Sequence, residues 1–536
     1  MTAPAAAPGS PGPLTALVEA ACRRHPDAVA TVFGRRRTRY GELLDAARGL
    51  ASTLVDLRVS PGGQVALLLA NLPQTVVAFL GVLLSGSAVV PLSPLLREGE
   101  LRAVLSRTRL TGIIALDGLL RAQPWLADEA GVVVITGVED ALVPPASWAA
   151  RLRRPQIPRG AAVVSFRDAI RGRDRGLPRV GAGDPALLAM TGGTTGVPKL
   201  AQLSHGNLAA NVRQTLAWFG ELAPGPGSAL VAALPYFHVY GVTTAMNLCL
   251  VTGATQLLVP RFRPREVLRV IARHRPRYFP AVPRMLAVLA DAVPPSSKAL
   301  GCLEVCISGA DTLSAETARD FEERTGRPVV EGYGLTEASP VTHCRPPDGG
   351  GVFGSVGRVY PDTEARIVDT AGGAPVEAGE VGELLVRGPQ VMKGYLGEPE
   401  ETLRALDADG WLHTGDLARA DEAGRFYLAG RKKDMMIVKG FKVYPGEVEA
   451  VLRLHPAVAD AAVVGVADPV RGEAVRAFVV GRPGRELVLD ELVRLCHERL
   501  ARYKVPTGVE VVPAIPRSAV GKVLRDQLRR EVERRG

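Results

Sequence analysis

A glycine- and threonine-rich run carries the groups that bind phosphate. It reads Thr191-Gly-Gly-Thr-Thr-Gly-Val-Pro-Lys199. Glycine lets backbone N–H groups turn toward an anion, and the adjacent hydroxyls and the final ammonium add further donors. A P-loop NTPase needs glycine before the lysine and a hydroxyl after it, but Pro198 and Leu200 stand at those positions. The run therefore predicts a loop that holds a nucleotide triphosphate, outside the P-loop class.

Four further motifs follow this run in order along the chain. They are Glu331–Glu337 (Glu-Gly-Tyr-Gly-Leu-Thr-Glu), Trp411–Asp416 (Trp-Leu-His-Thr-Gly-Asp), Gly430–Asp434 (Gly-Arg-Lys-Lys-Asp) and Pro516–Arg525, which contains Lys522. This ordered set resembles the adenylate-forming (ANL) superfamily of acyl-CoA synthetases, peptide-synthetase adenylation domains and luciferases. The resemblance extends from roughly residue 15 to the end of the chain.

The detailed form of the motifs is most similar to the bacterial long-chain fatty acyl-CoA synthetases. The relevant segments are the Thr-Gly-Gly-Thr-Thr-Gly core of the first run, Arg431–Met435 and Gly440–Pro445. The resemblance implies an acid-thiol ligase that joins a fatty acid to AMP, releases pyrophosphate and then transfers the acyl group to CoA. It also implies ATP, Mg²⁺ and CoA as cofactors. Leu200 departs from the family, which usually has glycine there.

The resemblance also implies which residues serve the first step. Thr336 would bind the phosphate or the acyl carbonyl, and Glu337 would hold Mg²⁺, which needs few protein carboxylates beside phosphate oxygens. Glu337 could instead satisfy local amides at the start of a helix. Lys522, carried by a second domain, would bridge the carboxylate and the α-phosphate in the transition state. The residues implied to contact ATP or CoA are Thr191, Gly192, Gly193, Thr194, Thr195, Gly196, Lys199, Gly309, Ala310, Glu331, Gly332, Tyr333, Asp416, Arg431, Lys433, Lys439 and Gly440.

Individual roles within that set follow the family pattern. Thr194, Thr195 and Lys199 would donate to the β- and γ-phosphates. Tyr333 would stack on or border adenine. Asp416 would accept from the ribose hydroxyls, a task that suits a bidentate carboxylate.

The second step is implied to need a rotation of the C-terminal domain. Lys433 would be the pivot, and Lys439, Gly440, Phe441 and Lys442 would then face the CoA tunnel. A solvated basic strand edge is the alternative interpretation of these lysines. Arg431 would add a donor near the ribose.

The acyl group is implied to enter beside His238. This histidine and its aromatic neighbours would line the carboxylate and the start of an acyl tunnel, and Ser308–Asp311 would form another wall, where glycine permits close approach to the backbone. A histidine packed against a core helix is the alternative interpretation. We list Lys522, Thr336 and His238 as candidate catalytic residues.

Hydrophobic periodicity predicts the scaffold that positions these groups. Short apolar strands such as Val65–Leu69 alternate with helices such as Thr75–Leu84, which predicts an α/β fold with parallel, helix-covered sheets. A small barrel-like subdomain is expected at about 350–430, and a small α+β lid domain follows. The expected divisions are a disordered lead-in at 1–13, an N-terminal adenylation domain at 14–430, a hinge at 431–434 and a mobile domain at 435–536.

Composition bounds the remaining possibilities. With 536 residues, 47% of them hydrophobic and 22% charged, the chain is globular and too long for one core. The net charge is +10, but the arginines are scattered, so nucleic-acid binding is not expected. The N-terminus lacks the pattern of a signal peptide. We expect a cytoplasmic protein, with peripheral membrane contact and a homodimer left open.

Three other functions remain as alternatives. The first is an acyl-AMP ligase that loads a carrier protein, although the short run Ile437–Tyr444, without an evident insertion, favours CoA. The second is an aryl-CoA ligase. The third is a non-catalytic binding relative, which the presence of the predicted polar residues disfavours.

Overall fold

The computed structural model of the chain describes residues 12–59, 61–141, 162–173, 176–191, 198–294, 297–348, 350–371, 373–468, 471–517 and 523–535. Contacts divide the chain into two compact units. The first comprises Met1–Phe353, Val359–Glu364 and Arg387–Gly410, and the second comprises Gly354–Arg358, Ala365–Val386 and Trp411–Gly536. The predicted lead-in at 1–13 lies outside the described residues except for its last two, so it stays a prediction.

The strands and helices alternate along most of the chain. The strands are β1 Val29–Phe33, β2 Arg36–Arg39, β3 Gln64–Leu68, β4 Ala88–Pro91, β5 Leu110–Leu116, β6 Val132–Thr136, β7 Ala162–Ser165, β8 Pro185–Thr191, β9 Lys199–Ser204, β10 Ala229–Ala232, β11 Thr255–Leu258, β12 Tyr278–Ala281, β13 Val305–Ser308, β14 Val329–Gly334, β15 Val341–Cys344, β16 Arg358–Val359, β17 Glu364–Val368, β18 Gly382–Arg387, β19 Leu412–Ala420, β20 Phe426–Arg431, β21 Met436–Val438, β22 Phe441–Val443, β23 Val458–Asp468, β24 Gly472–Gly481 and β25 Gly508–Val511. The α-helices are α1 Leu14–Arg24, α2 Tyr40–Asp56, α3 Pro73–Leu84, α4 Glu98–Leu105, α5 Asp117–Ala122, α6 Phe166–Ala169, α7 His205–Phe219, α8 Val239–Gly241, α9 Leu248–Thr252, α10 Pro264–His274, α11 Pro283–Asp291, α12 Ala315–Thr325, α13 Pro399–Ala405, α14 Pro445–Leu452, α15 Leu489–Arg499 and α16 Arg525–Arg535.

One sheet of the first unit has the order β7-β6-β5-β3-β4-β8-β9. Its pairs are parallel except for the β8–β9 hairpin. The central strand β3 is apolar over nearly its whole length because it is buried on both faces. Helix α3 begins with Pro73 and is buried on every side, as expected of a helix that is apolar all round.

The second sheet of this unit contains the order β15-β14-β13-β12-β10-β11-β1-β2. The strands from β14 to β1 run parallel, and the flanking β15 and β2 are antiparallel to their neighbours. Helices α10, α11 and α12 contribute Val267, Leu286 and Phe321 to the core that covers one part of it. The predicted α/β fold with parallel, helix-covered sheets is therefore confirmed.

The side chain of Asn71 links the two sheets of the first unit. It follows β3 and is 2% exposed. Its amide nitrogen donates to the carbonyl oxygens of Ala232 at 2.9 Å and Leu234 at 2.7 Å. Its amide oxygen accepts from the backbone N–H of Tyr236 at 2.9 Å. These bonds fix the chain just after β10, four residues before the candidate residue His238.

The second unit contains two sheets. One has the order β17-β18-β19-β20, with antiparallel β18–β19 and β19–β20 pairs. This sheet is open, so the predicted barrel-like subdomain does not close into a barrel; four strands do not supply the curvature for closure. The other sheet has the order β22-β21-β24-β23, and β25 pairs with β24. The predicted hinge at 431–434 lies within this unit and stays a prediction.

The helices that the sequence predicts lie close to their predicted positions. The helix expected over Thr75–Leu84 is α3, and the closing helix predicted around Leu528 is α16, which packs Leu528 against β23 and β24. Among the described helices, none combines the length and the apolar character needed to cross a bilayer.

We expect Asn71→Ala to lower the free energy of unfolding by about 3 kcal/mol, because it leaves the Leu234 carbonyl and the Tyr236 N–H without their partner and removes one of the two hydrogen bonds to the Ala232 carbonyl. Chemical denaturation would measure the change. Asn247→Ala is a matched control, because this amide is also fully buried but has no hydrogen-bond partner among the described residues. Equal losses in both variants would contradict the role given to the hydrogen bonds.

Candidate active site

Several predicted residues follow the carboxyl ends of neighbouring strands. His238 follows β10, Gly309 and Ala310 follow β13, and Thr336 and Glu337 follow β14. These strands and β12 are adjacent and parallel, so their carboxyl ends lie at one edge of the sheet. Open α/β sheets bind their ligands at this edge. The fold therefore brings residues that are about 100 positions apart in sequence to one place.

The β8–β9 hairpin carries both ends of the glycine-rich run. Thr191 is the last residue of β8, Lys199 is the first of β9, and the two are paired across the hairpin. Residues 192–197 lie outside the described residues. The roles predicted for Gly192, Gly193, Thr194, Thr195 and Gly196 therefore stay predictions.

Lys199 belongs to a chain of polar contacts that ends at Glu337. Its ammonium forms an ion pair with Glu401 and lies 4.9 Å from the centre of the Tyr395 ring. The Tyr395 hydroxyl donates to Glu337 Oε1 at 2.8 Å. The structure thus connects the predicted phosphate-binding lysine with the predicted Mg²⁺ ligand through one tyrosine.

Glu331 lies on β14 and is 5% exposed. One of its carboxylate oxygens accepts from the N–H of Leu313 at 3.3 Å, and the other has no hydrogen-bond partner among the described residues. Burial raises the pKa of this carboxyl to about 7, against smaller lowering effects of the Leu313 hydrogen bond and of Arg345. The group is thus poised to change charge near neutral pH.

The rest of the β14 motif is held tightly by β15. Tyr333 is 8% exposed, and its ring centroid lies 5.7 Å from that of His343. Gly332 pairs with Cys344 across the two strands. A Cβ on Gly334 would lie 1.9 Å from the carbonyl oxygen of Pro340, so glycine is required there. After this close approach, Thr336 begins a short 3₁₀ turn that also contains Glu337.

The segment after β10 contains residues that were predicted to line the acyl site. His238 Nδ1 accepts from the backbone N–H of Tyr240 at 3.2 Å, which caps the short helix α8. The Tyr240 side chain is buried, and its hydroxyl donates to the carbonyl oxygen of Ala281 at 3.3 Å. Leu234, Tyr240 and Val282 form an apolar cluster with Ala310 beside it.

The backbone after β13 is unusual at the same place. A Cβ on Gly309 would lie 3.1 Å from the Tyr240 hydroxyl, so a larger side chain would displace that ring. Ala310 has φ 72°, a left-handed conformation that costs free energy for a residue with a Cβ. Strained backbone of this kind concentrates at functional sites, which supports the predicted role of this wall.

In the second unit, Asp416 and Arg431 are paired across β19 and β20. The Arg431 Nε lies 3.3 Å from Asp416 Oδ1. The backbone of Asp416 is held by Thr414, whose hydroxyl accepts a hydrogen bond from the Asp416 N–H at 3.1 Å. The predicted ribose-binding carboxylate and its predicted neighbouring donor are thus together.

The lysines predicted to serve the second step also lie in this unit. Lys433 is exposed on a short 3₁₀ turn directly after β20. Lys439 and Gly440 form the turn between β21 and β22, both with positive φ (51° and 83°). Lys522 lies outside the described residues, so its predicted catalytic role stays a prediction.

Sequence reasoning missed Tyr395 and Glu401. Both come more than 50 residues after Glu337 and about 200 after Lys199, in a segment that the motifs do not include. The acidic run beginning at Glu398 gives no sign of a partner, because its contact with Lys199 arises only through folding. A tyrosine between two charged groups is likewise visible only in three dimensions.

The residues around Glu337 suit a single Mg²⁺. Glu337 is partly exposed at the sheet edge, and one of its oxygens is occupied by Tyr395, which leaves the other for a cation. Magnesium typically takes one or two protein carboxylates and completes its shell with phosphate oxygens and water. The donor set present therefore fits the predicted ion.

Comparison with known families and relatives agrees with the sequence resemblance. The profile described as "AMP-binding enzyme" matches residues 18–396, and that described as "AMP-binding enzyme C-terminal domain" matches residues 447–522. The long-chain-fatty-acid–CoA ligase of Bacillus subtilis (strain 168) is 38% identical over 529 residues, which cover 97% of this chain and 94% of the relative.

Other matches include a ligase named for a ring-containing acid and a solved structure with bound ATP. A Mycobacterium tuberculosis (strain ATCC 25618 / H37Rv) protein is 35% identical over 529 residues, covering 96% of this chain and 98% of the relative, and is named 3-[(3aS,4S,7aS)-7a-methyl-1,5-dioxo-octahydro-1H-inden-4-yl]propanoyl:CoA ligase. The crystal structure of ATP-bound MatB from Rhodopseudomonas palustris matches with a TM-score of 0.83 and 30% identity, covering 97% of this chain and 99% of that one.

We expect Glu331→Gln to gain stability relative to the parent protein as pH rises. The pKa of Glu331 is raised in the folded protein, so between about pH 5 and 7 the folded state binds the proton that the unfolded state loses. The parent therefore loses stability across this window, and the variant, which cannot ionise there, does not. The difference should reach about 3 kcal/mol.

Denaturation between pH 4.5 and 8 would measure this difference. The control is Glu323→Gln, the same change at an exposed position. A stability difference between Glu331→Gln and the parent that does not change with pH would contradict the raised pKa of Glu331.

Proposed function

The chain belongs to the AMP-binding enzyme family, and on that premise we propose that it is a fatty acid–CoA ligase. It would activate a fatty acid with ATP to the acyl-AMP, releasing pyrophosphate, and then transfer the acyl group to CoA with release of AMP. The observation that carries this proposal is the similarity over nearly the whole length to curated long-chain-fatty-acid–CoA ligases, at 34–38% identity. The meeting of the segments that contain His238, Gly309, Thr336 and Glu337 at one sheet edge supports it.

The first step depends on holding two anions together. Lys199 and the loop before it would bind the terminal phosphates, and Asp416 with Arg431 would orient the ribose. Glu337 would hold Mg²⁺, which supplies positive charge to the phosphate oxygens. Catalysis of this kind rests on positioning and on electrostatic stabilisation of the charge that develops at the α-phosphate.

Lys522 would act in the first step only. Its ammonium would bridge the attacking carboxylate oxygen and the α-phosphate in the transition state, where the negative charge is shared between them. A lysine suits this task because its ammonium is a compact charge on a flexible stem.

The second step would use the lysines of the second unit. Lys433 would be the pivot of the C-terminal domain, and Lys439 with Gly440 would approach CoA. Both residues of this turn have positive φ, so the hairpin presents a tight, exposed end bearing an ammonium group. Such an end can meet the phosphate groups of CoA without burying the charge.

The acid is proposed to be a fatty acid because most of the wall around His238 is apolar. Leu234, Val282 and the Tyr240 ring form an apolar cluster, and Ala310 packs against it. The M. tuberculosis relative, with its ring-containing acid, keeps a bulkier substrate as a second candidate. Peripheral membrane contact, a cytoplasmic location and a homodimer stay predictions.

We expect pyrophosphate and AMP to form from ATP, Mg²⁺ and a fatty acid, with turnover that depends on CoA. A panel of aliphatic acids of different length and of aromatic and ring-containing acids would identify the substrate class. Lys522→Ala should lower the rate of acyl-adenylate formation by about 100-fold or more, since it removes charge stabilisation in the transition state. Lys298→Ala, at an exposed lysine outside the motifs, should leave the rate unchanged.

Each other result has a definite meaning. Pyrophosphate release that CoA does not accelerate would favour the ligase that loads a carrier protein. Turnover with aromatic acids alone would favour the aryl-CoA ligase. A Lys522→Ala variant as active as the parent would refute the role given to this lysine.

A further inference from the structure

Tyr395 contacts two oppositely charged groups of the proposed triphosphate site, the Glu337 carboxylate and the Lys199 ammonium. Its hydroxyl donates to Glu337 Oε1 at 2.8 Å, and its ring faces the Lys199 ammonium, 4.9 Å from the ring centre. A hydrogen bond to a carboxylate and a cation over an aromatic face are both favourable contacts. One side chain thus contacts both the predicted Mg²⁺ ligand and the predicted phosphate ligand.

The backbone around Tyr395 is fixed by a ladder of hydrogen bonds. The N–H of Met392 donates to the carbonyl of Glu337 at 2.7 Å, which ties the segment to the 3₁₀ turn. The Gln202 N–H donates to the Gly394 carbonyl at 2.9 Å, and the Leu396 N–H to the Leu200 carbonyl at 2.9 Å. The segment therefore lies along β9, and Tyr395 pairs there with Ala201.

Glu401 completes the arrangement on the other side of Lys199. The two side chains form an ion pair and are 28% and 19% exposed respectively, so solvent screens the pair only in part. The hydrogen bond from Lys199 holds the pKa of Glu401 below its ordinary value. Glu401 also pairs with Arg404 one turn later on α13. Arg404 contacts the Oε1 atom and Lys199 the Oε2 atom, so the carboxylate is restrained at both oxygens.

The surroundings of Tyr395 favour a hydroxyl that donates a hydrogen bond. Burial raises the pKa of Tyr395 above its ordinary value, and the neighbouring Glu337 carboxylate raises it further. The only strong acceptor for this hydroxyl among the described contacts is Glu337 Oε1.

We propose that Tyr395 and Glu401 are positioning residues for the Mg²⁺–triphosphate group. Tyr395 orients the Glu337 carboxylate so that its free oxygen faces the metal, and Glu401 holds the Lys199 ammonium at the end of the phosphate loop. The two contacts set the spacing between the cation that the metal supplies and the ammonium. This inference rests on the proposed function, because it assigns both groups to ATP.

Tyr395→Phe tests the first contact with the loss of one oxygen atom. Since a hydrogen bond to a charged group is lost, we expect the affinity of the full-length protein for MgATP to fall about 10-fold. The Mg²⁺ concentration for half-maximal ATP binding should rise in parallel, an effect that general loosening of the fold does not produce. Tyr427→Phe is the matched control, because Tyr427 also donates to a carboxylate, that of Asp421, but outside the proposed site.

Glu401→Gln tests the second contact. The variant keeps the shape of the side chain but loses the charge, so Lys199 is held less firmly and the affinity for MgATP should fall several-fold. The matched control is Glu400→Gln, the neighbouring glutamate, whose side chain is 85% exposed. A higher affinity in Glu401→Gln would mean that Glu401 competes with the triphosphate, and it would overturn the positioning role.

Calorimetric titration with MgATP in the absence of any acid keeps this test separate from the proposed function. If the parent binds MgATP and both variants bind it as tightly as their controls, the positioning role is refuted. If the parent binds MgATP and the variants bind it weakly, the role stands even where no acid of the panel is turned over. A parent protein that does not bind MgATP would refute the inference and the proposed function together.

Discussion

The parallel alignment of neighbouring strands is the constraint on which the candidate site depends. Strands β10, β12, β13 and β14 run in one direction, so the segments that follow them meet at one edge of the sheet. The strands are buried on both faces and cannot shift without exposing apolar side chains. Asn71 adds a second restraint, because its three hydrogen bonds fix the segment after β10 to the neighbouring sheet. The site residues themselves can therefore be polar and partly exposed.

The charges of Lys199 and Glu337 are balanced by polar contacts with neighbouring side chains. Lys199 is neutralised in part by Glu401, and Glu337 is satisfied in part by the Tyr395 hydroxyl. Both contacts leave donor or acceptor capacity for a ligand, since an ammonium has three protons and a carboxylate has two oxygens. Glu331 is the exception, because it is buried with one oxygen unpartnered among the described residues, and its pKa rises to about 7 as a result.

The agreement between sequence and structure varies with the physical origin of each feature. Strands such as β3 and helices such as α3 were predictable because continuous apolar runs and helix-start proline are local signals. The barrel-like subdomain was predicted from a run of strands, but closure depends on strand number and tilt, which the run does not encode. Asp416 and Arg431 stand in two motifs and were both expected near the ribose, and the β19–β20 register shows that they pair directly.

The amino-acid sequence by itself determined the family, the two-step chemistry that the family implies and most of the candidate residues, because those residues stand in contiguous motifs. Tertiary structure alone decided that Tyr395 connects Lys199 with Glu337, that Glu401 pairs with Lys199, and that Tyr240 lies against Gly309. These contacts connect residues separated by tens to hundreds of positions. No local pattern specifies them, because they arise from strand order and from the packing of segments that the sequence places far apart.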